Sequence, residues 1–397
     1  MNCNFTENFS VMVERIISEK LKYLLGKFPI VLLTGPRQSG KSTLLKYQLP
    51  DYDYVSLEFP DVRLFAESDP RGFLQNYKGK TIIDEAQYVP QLFSYIQTIT
   101  DEENTVGRFV LSGSQNFLLM QSISQSLAGR VAILKLLPFS YSELNSALLS
   151  SNSLNECIFN GGYPRIFDKQ IPPAEFYPNY VQTYVERDVR MLRNLSDLSL
   201  FIRFIKLCAG RIGQLFNISS LANECGVGSN TVRAWLSVLE TSYIAFLLQP
   251  YHKNFNKRLV KTPKLYFYDT GLACSLLGIE TEKQLSTHYL RGELFENWVI
   301  GEYQKQNYAV GKEPAIYFWR DSNGMEVDLL VEKSGELTGI EIKSGSTLNS
   351  DYFKGLKALQ QMNIVSKDNS CVVYGGMQPF ETSNGKFIPW NVWGNQG

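Results

Sequence analysis

The run Ile30-Val-Leu-Leu-Thr34, followed at once by Gly35-Pro-Arg-Gln-Ser-Gly-Lys-Ser42, constrains this chain more than any other stretch. The first five residues read as a buried strand. The rest fits G-x-x-x-x-G-K-[ST] at every fixed position, with a helix from Ser42 to Gln48 stopped by Pro50. Such a loop wraps phosphate groups: glycines let the backbone approach, and amide N–H groups at a helix N-terminus face the negative charge. Gly35, Pro36, Arg37, Gln38, Ser39, Gly40, Lys41, Ser42 and Thr43 are therefore the expected ATP-binding residues. Lys41 reaches the outer phosphates and Ser42 ligates Mg²⁺.

A phosphate loop of this kind calls for an acidic strand beside it. Lys80-Thr-Ile-Ile-Asp-Glu85 supplies one, with Asp84 expected to hold Mg²⁺ through water and Glu85 to orient or deprotonate the attacking water. A third strand, Phe109-Val-Leu-Ser112, runs into Gly113-Ser114-Gln115 and brings Ser114 or Gln115 to the same sheet edge as a γ-phosphate sensor. Arg130 closes Ser126-Leu-Ala-Gly-Arg130, read as a helix end. It serves there either as an arginine finger, in cis or toward a neighbouring subunit, or as the cation that a helix C-terminus favours.

Near the other end, Met325-Glu-Val-Asp-Leu-Leu-Val-Glu-Lys-Ser-Gly-Glu-Leu-Thr-Gly-Ile-Glu-Ile-Lys-Ser-Gly345 reads as two strands joined by a Ser334-Gly335 turn. Lys333 then faces Glu336, Asp328 faces Glu341, and Glu326 faces Lys343, all on one face, with Val327, Leu329, Val331, Ile340 and Ile342 on the other. Either the carboxylates share a divalent cation, with Lys343 steadying a phosphate or hydroxide, or they form a solvated face with a Glu326–Lys343 ion pair. Upstream, Glu296 lies among apolar residues of a helix-spaced segment, Leu290 to Glu302, where a buried carboxylate needs a partner.

Between these ends, Ile218 to Leu239 reads as two short helices around Gly226-Val-Gly228, with Ser229 capping the second: a helix-turn-helix pattern. Tyr251 to Lys264 follows with five cations and no acid, then Leu265-Tyr-Phe-Tyr268, which makes a β-wing. The second helix offers only Arg233 as a cation, so the domain is read as structural or regulatory, with the basic wing as its nucleic-acid contact.

Composition narrows the remaining classes. The 397 residues leave room for two or three domains. Zero formal net charge means that any nucleic-acid contact must come from a local patch. No run approaches the ~20 apolar residues of a membrane span. The start, MNCNFTENFS, lacks a basic segment followed by an apolar one, so the expected location is cytoplasmic. Six scattered cysteines without CxxC spacing and only two histidines argue against zinc, disulfide and imidazole chemistry.

Taken in order, GPRQSGKST, TIIDEAQYVPQLF, LSGSQNFLL, SLAGR, GGYPRIF and YVERDVR resemble the prokaryotic AAA-type ATPases related to the STAND signalling ATPases, which carry a restriction-endonuclease-like C-terminal domain. The resemblance covers nearly the whole chain. It implies that Lys41, Ser42, Asp84 and Glu85 are nucleotide and hydrolysis residues, and that Gly162-Tyr163-Pro164 is a turn sensing the adenine side. On the YVERDV helix, Arg187 and Arg190 are read first as partners of Glu186 or Asp188 and second as a phosphate sensor. Glu296, Asp328 and Glu341-x-Lys343 together resemble the PD-(D/E)xK nuclease core, which implies a metal held by the three acids and Lys343 as the nuclease lysine.

The expected fold class is multidomain α/β: a P-loop parallel-sheet domain over 1–148, a helical lid over 149–199, a winged helix over 200–281 and a nuclease-like α/β domain over 282–397. The expected function is a Mg²⁺-dependent ATP-hydrolysing switch that controls the last two modules. Its alternatives are an ATP-regulated DNA nuclease and an interaction switch that binds ATP with little turnover. ATP, DNA and a protein partner are the expected ligands, and no membrane.

Overall fold

In the computed structural model, residues 13–113, 127–185, 198–251 and 260–395 are described. Ser114, Gln115, Arg187, Arg190, Lys257 and Arg258 lie outside the described residues.

The first part is a five-stranded parallel sheet. Its strands are β1 (Ile30–Thr34), β2 (Asp53–Ser56), β3 (Thr81–Asp84), β4 (Phe109–Gly113) and β5 (Val131–Lys135), in the order β2-β3-β4-β1-β5. β1 and β4 are buried along their whole length, as strands covered on both faces must be, hence their unbroken apolar runs. One face packs Ile17, Leu21, Leu44 and Leu45, carried by α1 (Ile17–Leu25) and α2 (Lys41–Gln48). The other packs Leu92, Phe93 and Ile96 of α3 (Leu92–Glu103). The parallel order brings the C-terminal ends of β1, β3 and β4 to one edge, where the phosphate loop lies.

The middle is helical. α4 (Pro164–Asp168) and α5 (Pro173–Tyr180) precede α6 (Leu198–Ala209), α7 (Ile218–Cys225) and α8 (Ser229–Thr241). Gly226 ends α7 in the left-handed conformation at φ 70°, as a helix C-terminus favours. Gly228, not Ser229, is the N-cap of α8, and Ser229 is its first helical residue. An antiparallel pair follows, β6 (Ala245–Leu248) with β7 (Lys264–Phe267), and then α9 (Thr270–Leu276). β6 ends before the basic run from Tyr251 and β7 begins at its last residue, Lys264.

The last part is a six-stranded mixed sheet covered on both faces. It is entered through α10 (Arg291–Ala309), followed by the antiparallel meander β8 (Ala315–Arg320), β9 (Glu326–Lys333) and β10 (Glu336–Lys343). After α11 (Lys354–Gln361), β11 (Ser370–Tyr374) adds parallel to β10. β12 (Phe380–Thr382), β13 (Gly385–Pro389) and α12 (Trp390–Gly394) complete it. The β9–β10 turn is the expected one: Ser334 and Gly335 both have positive φ, 54° and 84°, and Lys333 pairs with Glu336.

The expected one-sided alternation is not observed. Tyr317 pairs with Leu330 but Trp319 pairs with Val327, so Asp328 and Leu329 together oppose Phe318, a β-bulge. Past it Val327 and Leu330 pack with Leu356 and Leu359 of α11, while Leu329 and Val331 pack with Phe295 and Val299 of α10. The middle of the hairpin is interior, with Asp328 buried, while Lys333 and Glu336 at the turn are exposed. A single hydrophobic core runs from Tyr141 to Trp393 and unites the helices that follow β5, the middle and the α10 face of this sheet. Among the described residues no helix is long and apolar enough to cross a membrane, and the five described cysteines are free.

Candidate nucleotide site and carboxylate cluster

The phosphate loop is shaped by positions that exclude side chains. A Cβ on Gly35 would stand 2.0 Å from the Leu136 carbonyl oxygen, and Gly40, the N-cap of α2, lies at φ 93°. Lys41 Nζ folds back over the loop and donates to the carbonyls of Gly35 (3.0 Å) and Pro36 (2.7 Å). Ser42 Oγ donates to Asp84 Oδ2 at 2.7 Å. Asp84 is buried and takes two further hydroxyl donors, Tyr54 (2.5 Å) and Ser112. Tyr54 and Ser112 were not anticipated; both lie on strands flanking β3, and only Ser112, next to last in β4, stands near a strand's C-terminal end, where sequence position could have marked it. Burial pushes the Tyr54 hydroxyl above its usual range, and the bond to Asp84 and its charge push it further. Glu85 follows at φ 54°, a left-handed conformation uncommon for a non-glycine residue, and accepts from Gln87 Nε2.

A second residue outside the motifs holds the loop. Arg15, buried, donates from Nη1 to the Ser39 carbonyl (3.0 Å), from Nη2 to the Leu137 carbonyl (2.6 Å) and from Nε to Glu143 (3.0 Å). Its guanidinium also lies over the Phe139 ring. Beside the loop an open cleft is lined by Val13, Gly40, Thr43, Tyr47, Phe139 and Pro164 among others. A Cβ on Gly40 would come within 3.8 Å of Pro164 Cγ, so the Gly162-Tyr163-Pro164 turn meets the loop. Arg37 and Ser39 are buried within the loop.

Arg130 is elsewhere. It precedes β5, its carbonyl accepts from Ile30 N at the opposite edge of the sheet, and its guanidinium binds Asp101 on α3 (2.9 Å from Nη2). The expected finger in cis is therefore corrected: the length of β1 separates it from the loop.

In the last sheet, Glu296, Asp328, Glu341 and Lys343 are brought together, but lysines join the acids. Lys343 Nζ contacts Glu341 (2.7 Å) and Asp328 (3.3 Å), and Asp328 also accepts from Ile342 N (2.8 Å). Lys264, expected on the basic wing, is buried at 3% exposure between Glu296 (3.1 Å) and Glu326. Tyr266 also donates to Glu296, and Arg320 binds Glu326 at 3.0 Å. The expected Glu326–Lys343 pair is thus replaced by two others. Among the described residues no group of three or more His, Cys, Asp or Glu side chains is set to hold a metal ion. The expected site at Glu296, Asp328 and Glu341 is corrected for this conformation, because ammonium groups stand between the carboxylates. Burial, with repulsion from Asp328, raises Glu341 above the usual carboxylate range despite Lys343. Burial raises Glu296 likewise, against the pull of Lys264. Burial lowers the Lys264 ammonium, but Glu296, Glu326 and Asp328 outweigh it and the net shift is upward. Glu341 Oε2 is buried without a hydrogen-bond partner.

Parallel sheet, glycine loop and acidic strand end define the first part as an AAA-type P-loop ATPase domain, and the sequence matches the AAA domain family over residues 27–145. Two domains of unknown function, DUF8612 and DUF4143, match at 151–283 and 291–393. The chain is 32% identical over 338 residues to the uncharacterized protein Rv2008c of Mycobacterium tuberculosis, covering 84% of this chain and 74% of that protein, and it belongs to the same family. It is 23% identical over 346 residues to an uncharacterized protein of Haemophilus influenzae, covering 79% of this chain and 82% of the relative. Among solved structures, the Walker-type ATPase paby2304 of Pyrococcus abyssi aligns with 67% of this chain and 96% of its own at 15% identity, with a TM-score of 0.45.

Proposed function

We propose that the chain is a Mg²⁺-dependent ATP-binding and ATP-hydrolysing switch whose nucleotide state controls the helix-turn-helix region, read as a winged helix, and the C-terminal sheet. The observation that carries this reading is the Ser42–Asp84 contact at 2.7 Å. A hydroxyl at the start of the loop helix and a carboxylate at the end of the acidic strand are hard oxygen donors, the set that Mg²⁺ takes together with waters and phosphate oxygens. The buried, unpartnered Ser39 Oγ and the side-chain-free faces of Gly35 and Gly40 fit a phosphate cradle.

In this reading the backbone N–H groups between Arg37 and Thr43 hold the phosphates. Lys41 leaves the Gly35 and Pro36 carbonyls to meet the outer phosphates. Ser42 and Asp84 hold the ion, which when bound neutralises charge developing on the phosphate oxygens. Glu85 orients the attacking water, and the cleft at Val13, Tyr47 and Pro164 takes the base. The helix-turn-helix region serves a structural or regulatory role, and Lys261 and Arg233, both exposed, are its described cations for a nucleic-acid contact.

The test compares Lys41→Ala with Glu85→Gln. The first loses ATP binding, and the second binds ATP but releases no phosphate, because only the first removes a contact made in the ground state. Equal turnover in wild type and Glu85→Gln refutes the assignment.

A further inference from the structure

Asp84 is held by three hydroxyls, and two of them, from Tyr54 and Ser112, belong to neither the glycine loop nor the acidic strand. β2 pairs with β3 in parallel register, Tyr54 beside Ile82 and Ser56 beside Asp84. Paired residues of neighbouring strands share a face, so these four stand on the side where Leu44 and Leu45 of α2 pack. Ser56, directly opposite Asp84, is engaged locally: its Oγ accepts from Glu58 N at 3.2 Å. Tyr54, two residues earlier, has the length to reach past it. Its ring lies under the Lys46 ammonium, 3.9 Å from the centroid, and its hydroxyl ends 2.5 Å from Asp84 Oδ2. Ser42 donates to that same oxygen at 2.7 Å, and the buried Ser112 donates to Oδ1.

These contacts nearly fill the carboxylate. An ionised carboxylate offers about four acceptor positions, two on each oxygen. The hydroxyls take both positions on Oδ2 and one on Oδ1. Displacing one of them would leave a buried O–H unpaired, which is unfavourable. Asp84 therefore has room for one further contact, enough for a water of hydration and too little for a bond that spans both oxygens. Divalent ions differ in what they ask of such a group. Mg²⁺ dehydrates reluctantly and keeps several waters, whereas Ca²⁺ takes roughly 6–8 oxygens and binds carboxylates directly, often through both oxygens. An acid occupied by hydroxyls admits the first and handicaps the second.

We propose that Tyr54, together with Ser112, sets the metal selectivity of the nucleotide site by occupying Asp84 so that it meets the ion only through water, which favours Mg²⁺ over Ca²⁺. Both are positioning residues, acting through Asp84. The proposal rests on the ATP-switch reading above, and the test separates the two.

Full-length wild type, Tyr54→Phe and Ser112→Ala are titrated with a fluorescent, non-hydrolysable ATP analogue in EDTA, Mg²⁺ or Ca²⁺. In wild type, Mg²⁺ tightens binding more than Ca²⁺ does. Each substitution frees one acceptor position on Asp84 and lowers the Mg²⁺ preference by about tenfold, the lower end of what loss of an outer partner does to metal binding, while affinity in EDTA stays at the wild-type value. Pulsed EPR of the Mn²⁺–analogue complex in D₂O gives a second readout: the ion on Tyr54→Phe carries one water fewer than on wild type, because Asp84 takes its place. A role in packing alone weakens binding alike in all three solutions. Ser112→Ala acts on the other carboxylate oxygen and carries the test if Tyr54→Phe does not fold. An unchanged Mg²⁺ preference in both variants, an equal loss in all three solutions, or a wild type without Mg²⁺ preference overturns the proposal and leaves the ATP reading standing. Failure of wild type to bind the analogue with any ion refutes the ATP reading and the proposal with it.

Discussion

Arg15 sets the sharpest stability test. Arg15→Met keeps an apolar stem against Phe139 but removes the guanidinium from Glu143, the Ser39 carbonyl and the Leu137 carbonyl. Arg15 and Glu143 are 8% and 4% exposed, so the variant leaves a carboxylate buried without its counter-ion. Breaking a buried pair from one side costs about 3–5 kcal/mol. Glu143 keeps two backbone donors, Ile16 N and Ser140 N, each at 3.0 Å, which places the cost at the lower end. At about 2–4 °C per kcal/mol for a unit of this size, the melting temperature of the ATPase part falls by roughly 6–12 °C. Glu143→Gln in the same chain removes the stranded charge, so the double variant recovers part of the loss, with a coupling of about 1–3 kcal/mol. Fluorescent-nucleotide titration of the folded variants shows weaker ATP binding, because the Ser39 carbonyl loses its anchor. Thermal unfolding of the four proteins in the cycle is the assay. An unchanged melting temperature in Arg15→Met, or a double variant no better than the sum of the singles, refutes the account of Arg15 as a charged brace.

Two further outcomes concern charged side chains, one buried and one exposed. Glu302, buried on α10, accepts from Tyr141 N and Lys305; burial lifts its pKa above the ordinary 4.5, against the opposing pull of Lys305. A carboxyl raised on folding binds its proton more tightly in the native state, so its contribution is fully present below 4.5 and is lost as pH rises through the folded value. Urea unfolding between mildly acidic and neutral pH therefore shows a downward stability slope that Glu302→Gln flattens; an unchanged slope contradicts the assignment. Arg130→Ala removes an exposed pair with Asp101 and an exposed hydrogen bond to the Ala128 carbonyl, and leaves the melting temperature and ATP binding of the isolated chain at wild-type values, so a large loss of turnover in that variant marks a role toward a neighbouring copy.

What the sequence made legible is what local chemistry dictates. Gly35 and Gly40 are required by backbone geometry whatever lies beyond them, and Ser334-Gly335 fixes both the turn and the Lys333–Glu336 register. The rest depended on partners distant along the chain. Lys264 reads as one more cation of a basic wing until Glu296, 32 residues on, is packed against it. Arg15 belongs to no motif, and its partner Glu143 lies 128 residues away. The bulge at Asp328 and Leu329 breaks a period of two that the residues themselves suggest, because α10 and α11 cover opposite faces of the hairpin.

The continuous core from Tyr141 to Trp393 bears on the order of folding during synthesis. The two cores of the ATPase sheet draw only on residues between Ile17 and Leu136, so that part can close while the ribosome is still adding chain. The remainder cannot. Tyr141 stacks edge-on to Trp298 and Trp390, and those rings are translated long after it. Nascent chains therefore carry a finished ATPase sheet tethered to an unsealed apolar surface until the last strand and helix emerge, and a stop codon shortly before Trp390 yields a chaperone client in place of a shorter protein.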